Sequence, residues 1–485
     1  MVKNTKGLQF KKMLEIFDTG GIHDVSTNPG AIGQVQEDTR FPEQKQSAEV
    51  ASTFSKPEKD TTKLSETVEV LFSRATALQG LDRLEEAFDC YQRLLEITPN
   101  EPIVYYNCGC LLRKLERLEA ALSAFNQAIE LKPDYAYAIY NRGNLRRHLG
   151  RDLEAFNDYQ RAIALEPNDA DFYVARGSMY VAMNQPETAL NDFDRALQLS
   201  PNHIMAHGNR GNVMEILGCF DEAIGEYNMV IELDSQDYRA WINRGYIHFK
   251  LEKYDEALHD YSMVTSLRPT NAKGFANRGM VQMKKKYLRQ ALADFDEAVR
   301  LAPREVAYLI RRSQIKSSLG DLLGALDDVN QAIRLNPHNW EGYYQLGITN
   351  AMLNRLDQAI TAYTTMIEHN PENASGYCYR GVAFARQSKM EKAMADYNRA
   401  LELNPSHVAA YLNRGIVFRL LDRADESISD LTKAVELDPE NSSAYRNRAL
   451  VYTSLGRIQE AADDHAKADK IESQKSATAP QENHL

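Results

Sequence analysis

The 485-residue chain contains two tryptophans, five cysteines, no surplus of positive charge and no long apolar run. Each shortage excludes something. Without about 18 consecutive apolar residues there is no membrane-spanning helix, so membrane insertion is not expected. Five cysteines, an odd and sparse number, do not make a disulfide framework and point to a reducing compartment. Lys plus Arg total 57 and Asp plus Glu 68, a net charge of −11. Nucleic-acid binders need a basic face to displace counterions, so no nucleic-acid partner is expected. The start, Met1-Val2-Lys3-Asn4-Thr5-Lys6, has no apolar stretch behind it and has valine where myristoylation needs glycine. It therefore reads as neither a secretion signal nor a lipidation site. Catalytic signatures are missing as well: no phosphate-cradling glycine loop, zinc-ligand spacing or nucleophile elbow. Cys108 and Cys110 point about 200° apart on a helix and make no metal pair. His203 and His207 stand four apart without a glutamate between them and are read as structural. The chain is read as no enzyme, with no cofactor and no metal.

What the sequence has is a period. Prolines fall at 99, 133, 167, 201, 269, 303, 337, 371, 405 and 439, always 34 apart except where Ser235 fills the slot. With this proline as position 32, twelve repeats run from 68 to 475. Position 8 is glycine in nine repeats and otherwise alanine or serine. Position 20 is alanine in eleven, with Ser427 the exception. Position 24 is mostly Tyr or Phe. Each repeat then forms two short amphipathic helices, A and B. Small residues let them approach, the aromatic fills the gap, and proline ends helix B. The last repeat, with His465 at position 24 and a polar helix B, is read as a cap. Residues 1–67 are rich in polar and turn-forming residues and are expected to be mostly disordered. Within them a short amphipathic helix is expected near 8–17, from Phe10, Met13, Leu14 and Phe17 at helical spacing. Residues 476–485 are expected to form a polar tail.

On these positions the chain resembles the tetratricopeptide repeat (TPR) family. The resemblance implies an all-α, right-handed solenoid of twelve helix-turn-helix repeats, with helices A lining a concave groove and helices B the convex back. It implies a scaffold or adaptor with a protein or peptide partner. A cytoplasmic location is expected, with cilium and nucleus as family-level alternatives.

Two further patterns emerge from reading the repeats against one another. Position 7 is arginine in ten repeats and position 23 is acidic in nine. The pairs are Arg142/Asp158, Arg176/Asp192, Arg210/Glu226, Arg244/Asp260, Arg278/Asp294, Arg312/Asp328, Arg380/Asp396, Arg414/Asp430 and Arg448/Asp464. Where arginine is absent the acid is absent too, as in Cys108 with Ala124 and Leu346 with Ala362; Arg74 with Cys90 breaks the rule. A salt bridge between the helices of one repeat is therefore expected, the planar guanidinium meeting a partly buried carboxylate.

Position 6 carries Asn107, Asn141, Asn209, Asn243, Asn277, Asn413 and Asn447. Asparagine is a poor interior helix former, so its recurrence on what reads as an exposed face needs a reason. Its amide matches a peptide bond in donor and acceptor. The row is similar to the asparagine ladder in the TPR superhelices of O-GlcNAc transferase and the peroxisomal import receptor. That resemblance implies an extended peptide held by its backbone, with Asn209, Asn243 and Asn277 the longest unbroken run. Asparagines solvated or bonded within the helix pair are the alternative. Positions 12 and 13 carry Arg113, Lys114, Arg147, His148, Lys250, Lys284, Arg386 and Arg419, which fits an acidic ligand or a solvated charged face. The clamp of chaperone-binding relatives is incomplete: its best window is Gly208, Asn212, Asn243, Lys273 and Asn277, without two cations. A rival reading is an accessory or regulatory subunit of an enzyme or ciliary complex, engaged through the convex face or the N-terminal tail.

Overall fold

The computed structural model describes residues 62–477. The helix expected near 8–17, the rest of residues 1–61, and 478–485 lie outside them. Every regular element among the described residues is an α-helix, twenty-four in all. They follow the 34-residue frame. Helix A of repeats 2 to 12 covers positions 1–13 and helix B of repeats 1 to 11 covers positions 17–30, as in Pro102–Lys114 and Leu118–Leu131. The terminal helices overrun the frame: the first is Thr62–Gly80 and the last Ile458–Ala477. The last has Ser473 at position 32, where ten other repeats place proline. The chain divides into two compact units, and the boundary, between Pro269 and Thr270, falls in the turn that ends repeat 6.

The same local chemistry recurs in every repeat. Position 15, between the two helices, is left-handed in all twelve: four glycines from Gly150 to Gly456 and eight other residues, such as Lys286 at φ 62°. This turn closes with the backbone N–H of Arg117 donating to the Leu112 carbonyl at 2.9 Å, a six-to-one bond that satisfies a helix end. At position 34 the side chains of Asp169, Asp237, Asn271, Asn339, Asn373 and Asn441 cap the next helix A by accepting its first amides. His203 and His407 do so through a ring nitrogen. Helix B stops at position 30 even in repeat 5, where Ser235 replaces proline. The turn and cap thus suffice, and proline reinforces them.

The alanines at position 20 are buried, and Tyr91, Phe125, Tyr159 and Phe193 at position 24 are fully buried. The glycines at position 8 sit against these rings. A Cβ on Gly177 would stand 2.7 Å from the Phe193 ring, and one on Gly381 2.7 Å from Tyr397. Where position 24 is Val329, position 8 can be Ser313, whose hydroxyl donates to the Ala325 carbonyl at 2.9 Å. Ser427 at position 20 donates in the opposite direction, to the Gly415 carbonyl at 2.7 Å. The hydroxyls replace a ring contact with a helix-to-helix hydrogen bond.

Candidate functional site

Two faces of helix A are fixed by its contacts. At about 100° per residue, positions 7, 8 and 11 share one side, and 2, 5, 9, 12 and 13 the other, with 6 at the edge. The first side meets helix B. All nine arginine–acid pairs come together there, with nitrogen–oxygen distances of 2.5–2.8 Å. Arg278 meets Asp294 at 2.6 Å, Arg380 meets Asp396 at 2.7 Å and Arg448 meets Asp464 at 2.8 Å. In eight pairs the guanidinium grips both carboxylate oxygens, as Arg176 Nε and Nη2 do with Asp192. Arg210 meets the longer Glu226 through Nη1 alone. The hydrogen bond to Asp192 holds the Arg176 pKa above its ordinary value, against partial burial. Some carboxylates take a second partner from position 11: Arg146 on Asp158, His248 on Asp260 and Lys316 on Asp328.

The acids lie deeper than the sequence reading placed them. Partly buried carboxylates were expected, and only Glu226 is half-buried. Asp158, Asp192, Asp260, Asp294, Asp328, Asp396, Asp430 and Asp464 are buried. The correction has a cause in the close approach of the two helices. A Cβ on the position 8 glycine would stand 3.1 Å from the Asp158 or Asp260 Cβ and 3.4 Å from that of Asp294 or Asp430. The short aspartate therefore starts under helix A, and the arginine closes over it.

A further contact of the same arginines was not read from the sequence. The remaining guanidinium nitrogen donates to position 25 of the preceding repeat. Arg142 Nη1 reaches Asn126 at 2.9 Å, Arg244 reaches Asn228 at 2.6 Å, Arg414 reaches Asn398 at 2.7 Å and Arg448 reaches Thr432 at 3.0 Å. The arginine therefore ties two helices B as well as its own pair. The signal was present: position 25 is almost always a side chain that can accept, but its identity changes from repeat to repeat.

The asparagines of position 6 also lie deeper than expected. Asn141, Asn209, Asn277, Asn413 and Asn447 are only 0–8% exposed, and Asn107 and Asn243 are half-buried. The exposed-face expectation is corrected accordingly, because the neighbouring helix A covers the edge on which they stand. The amide N–H groups of six of the seven are engaged. Asn141 Nδ2 donates to the Tyr106 hydroxyl at 3.2 Å, Asn209 to Ser178 at 3.2 Å and Asn243 to Asn212 Oδ1 at 3.0 Å, each in the preceding repeat. Asn413 faces Cys378 Sγ at 3.9 Å, while Asn107 and Asn447 donate to carbonyls four residues back in their own helices.

Position 9 is the row that sequence reasoning passed over. In the first unit Asn144 Oδ1 accepts from the Tyr159 hydroxyl at 2.7 Å and Asn212 Oδ1 from Tyr227 at 2.7 Å. Those bonds orient the amides, and the Nδ2 atoms of Asn144 and Asn212 and Oδ1 of Asn141 find no partner within the protein. Buried polar atoms left so are uncommon. Nearby, burial pushes the Glu215 carboxyl pKa up.

The two histidines read as structural have structural partners. His203 Nδ1 accepts from the Ala206 amide and Nε2 meets Asp171 at 2.8 Å. Buried His207 places Nδ1 2.7 Å from Glu226 and Nε2 2.8 Å from the Pro201 carbonyl. Both ring nitrogens face acceptors, and the Glu226 hydrogen bond raises the His207 pKa.

Comparison with known proteins comes to bear here. Models of the tetratricopeptide repeat match residues 66–134, 143–184, 174–238, 238–271, 311–374, 374–407, 408–441 and 431–463. No curated protein matches. Among solved structures, yeast Tom70 is 17% identical over 85% of this chain and 97% of its own, with a TM-score of 0.42. A tetratricopeptide repeat protein from Parabacteroides merdae is 20% identical over 52% and 99%, with a TM-score of 0.41. YrrB, described as a TPR protein with an unusual peptide-binding site, is 26% identical over 38% and 95%, with a TM-score of 0.32.

Proposed function

Because the chain belongs to the tetratricopeptide repeat family, we propose that it is a non-catalytic scaffold that holds an extended segment of a partner protein along its helix A face. The observation that carries this reading is the division of labour on helix A. Positions 7, 8 and 11 are occupied by helix B, while Lys114, Ile216 and Lys250 on the opposite side are exposed. A solenoid's surface of this kind is available to a ligand without disturbing its stacking.

The asparagine row enters the proposal in a modified role. Asn141, Asn209 and Asn243 set the spacing between neighbouring helices A. Neighbouring helices pack roughly 10 Å apart. An extended chain rises about 3.3 Å per residue, so one repeat meets about every third ligand residue.

Affinity capture with mass spectrometry tests the assignment of face. The bait is the full chain, wild type against Ile216→Glu/Lys250→Glu on helix A and against Leu153→Glu/Leu323→Glu on helix B. Partners lost with the first pair and kept with the second support the proposal. The reverse pattern moves binding to the helix B side.

A further inference from the structure

We infer that the helix A face of repeats 7 to 12 selects an acidic segment with apolar side chains spaced between its carboxylates. The inference rests on the reading of that face as partner-binding, and it names the ligand's chemistry.

At positions 2, 5, 6, 9, 12 and 13 this unit carries six cations, Lys273, Lys284, Arg311, Arg386, Arg419 and Arg446, and one acid, Glu341, in a chain with net charge −11. Arg446 is neutralised by Asp469 and Glu472 of the final helix. Arg386 donates to neutral oxygens, the Ala351 carbonyl at 2.9 Å and Asn354 Oδ1 at 3.3 Å, and Arg311 donates to Gln314 Oε1 at 3.0 Å. Lys284 is exposed and Lys273 half-buried. Burial pushes the Glu341 carboxyl pKa up, with Arg311 nearby opposing the shift.

The helix dipole accounts for only half of this set. It favours cations in the last turn, where Lys284, Arg386 and Arg419 stand. It opposes Lys273 in the first turn, and Arg311 is in mid-helix. The same dipole goes with first-turn acids in nine of eleven helices B from repeats 1 to 11 but in two of eleven helices A from repeats 2 to 12. Helix A is thus kept poor in acid against that preference.

Between the cations, position 9 supplies Met280, Ile348, Val382, Ile416 and Leu450, with Gln314 the polar exception. Ile416 is buried, Leu450 exposed and the other three half-buried. One apolar contact per repeat, about every third ligand residue by the spacings given above, leaves room for carboxylates between. The chain's own Phe10–Phe17 segment is a poor occupant: Lys11 and Lys12 against Glu15 give it the same sign as the face.

The test is fluorescence anisotropy of the full chain with three labelled peptides of about 15 residues. Each has Leu at every third position, with Glu, Gln or Lys at the positions between. The Glu peptide is expected to bind about tenfold more tightly than the Gln peptide and to weaken with salt, and the Lys peptide not to bind. Lys273→Glu/Lys284→Glu should weaken Glu-peptide binding about tenfold and the milder Lys284→Gln about threefold, while Lys132→Glu/Lys253→Glu, exposed in the first unit outside its helices A, changes it less than about twofold. Circular dichroism checks that each variant folds. Equal binding of the Glu and Gln peptides would overturn the acidic preference while leaving peptide binding intact. Equal loss in the first-unit control would overturn the location. Binding of none of the three would overturn this inference together with the peptide-binding proposal.

Discussion

Position 9 of helix A reads Thr76, Cys110, Asn144, Ser178, Asn212 and Tyr246 in the first unit, and Met280, Gln314, Ile348, Val382, Ile416 and Leu450 in the second. The first row is polar and takes part in hydrogen bonds with Tyr159, Tyr227 and Asn243. The second is almost wholly apolar. At position 6 the second unit also replaces asparagine with Arg311, Gln345 and Tyr379, and buried Gln345 bonds to Ser317 and Thr349. Yet the arginine–acid clasp, the left-handed position 15 and the buried position 20 recur in both units. In a solenoid each repeat is stabilised by its own helix pair and its neighbours. Residues in those contacts are therefore held to one pattern, while the opposite side of helix A can differ between units. The comparison separates what builds the protein from what distinguishes its two halves as binding surfaces.

The largest effects should fall on the shared framework and be alike in both units. Arg176→Leu and Arg414→Leu each strand a buried carboxylate and are expected to cost about 3 kcal/mol, the low end for breaking a buried pair because the arginines are partly exposed. Adding Asp192→Leu or Asp430→Leu should recover much of that loss. Urea unfolding read by hydrogen exchange in each repeat measures both, and a large cost in only one unit would break the equivalence. Next come Gly177→Ala and Gly381→Ala, which force a methyl into the Phe193 or Tyr397 ring and should each cost about 1–2 kcal/mol. Smaller again is Asn209→Ala, about 1 kcal/mol from the lost bond to Ser178, confined to exchange in repeats 4 and 5. Relieving the left-handed turn should work the other way. Lys286→Gly is expected to stabilise repeat 7 by about 0.5–1 kcal/mol, read as a higher urea midpoint for that repeat.

One pH effect should distinguish the units. The raised His207 pKa means that its contribution is full below the unfolded value, near 6.5, and is lost as pH rises through the folded value. Position 4 of the second unit has no histidine. The urea midpoint of repeat 5 should therefore fall from pH 6 to pH 8, and His207→Gln should remove that dependence. An unchanged slope in the variant would assign it to another group.

The framework was readable in the sequence because twelve copies act as an internal alignment. Position 7 and position 23 change together, and Gly, Ala and Pro recur where close approach or a turn demands them. Position 25 escaped because its chemistry repeats while its identity does not: Asn126, Asn228, Asn398 and Thr432 all accept, and only geometry shows that they face one guanidinium. Depth escaped for a different reason. A single helix places position 6 at the edge of an open face, and burial there is created by the next helix A. The aspartates at position 23, such as Asp294, Asp396 and Asp464, are likewise buried by what packs over them, which pairing alone does not reveal. Position 9 carried no period at all, and the structure is what aligns its residues into a row.

The most direct measurement is site-specific photo-crosslinking of the full chain in cell lysate. A benzophenone amino acid replaces Ile216 or Leu450 on helix A, and Leu153 or Leu323 on helix B, all exposed positions. Crosslinked peptides are then sequenced. The account predicts partner segments attached at Ile216 and Leu450 and not at the two helix B sites, with those from Leu450 richer in Asp and Glu. Attachment chiefly at Leu153 and Leu323 would contradict it, placing the binding surface on helix B.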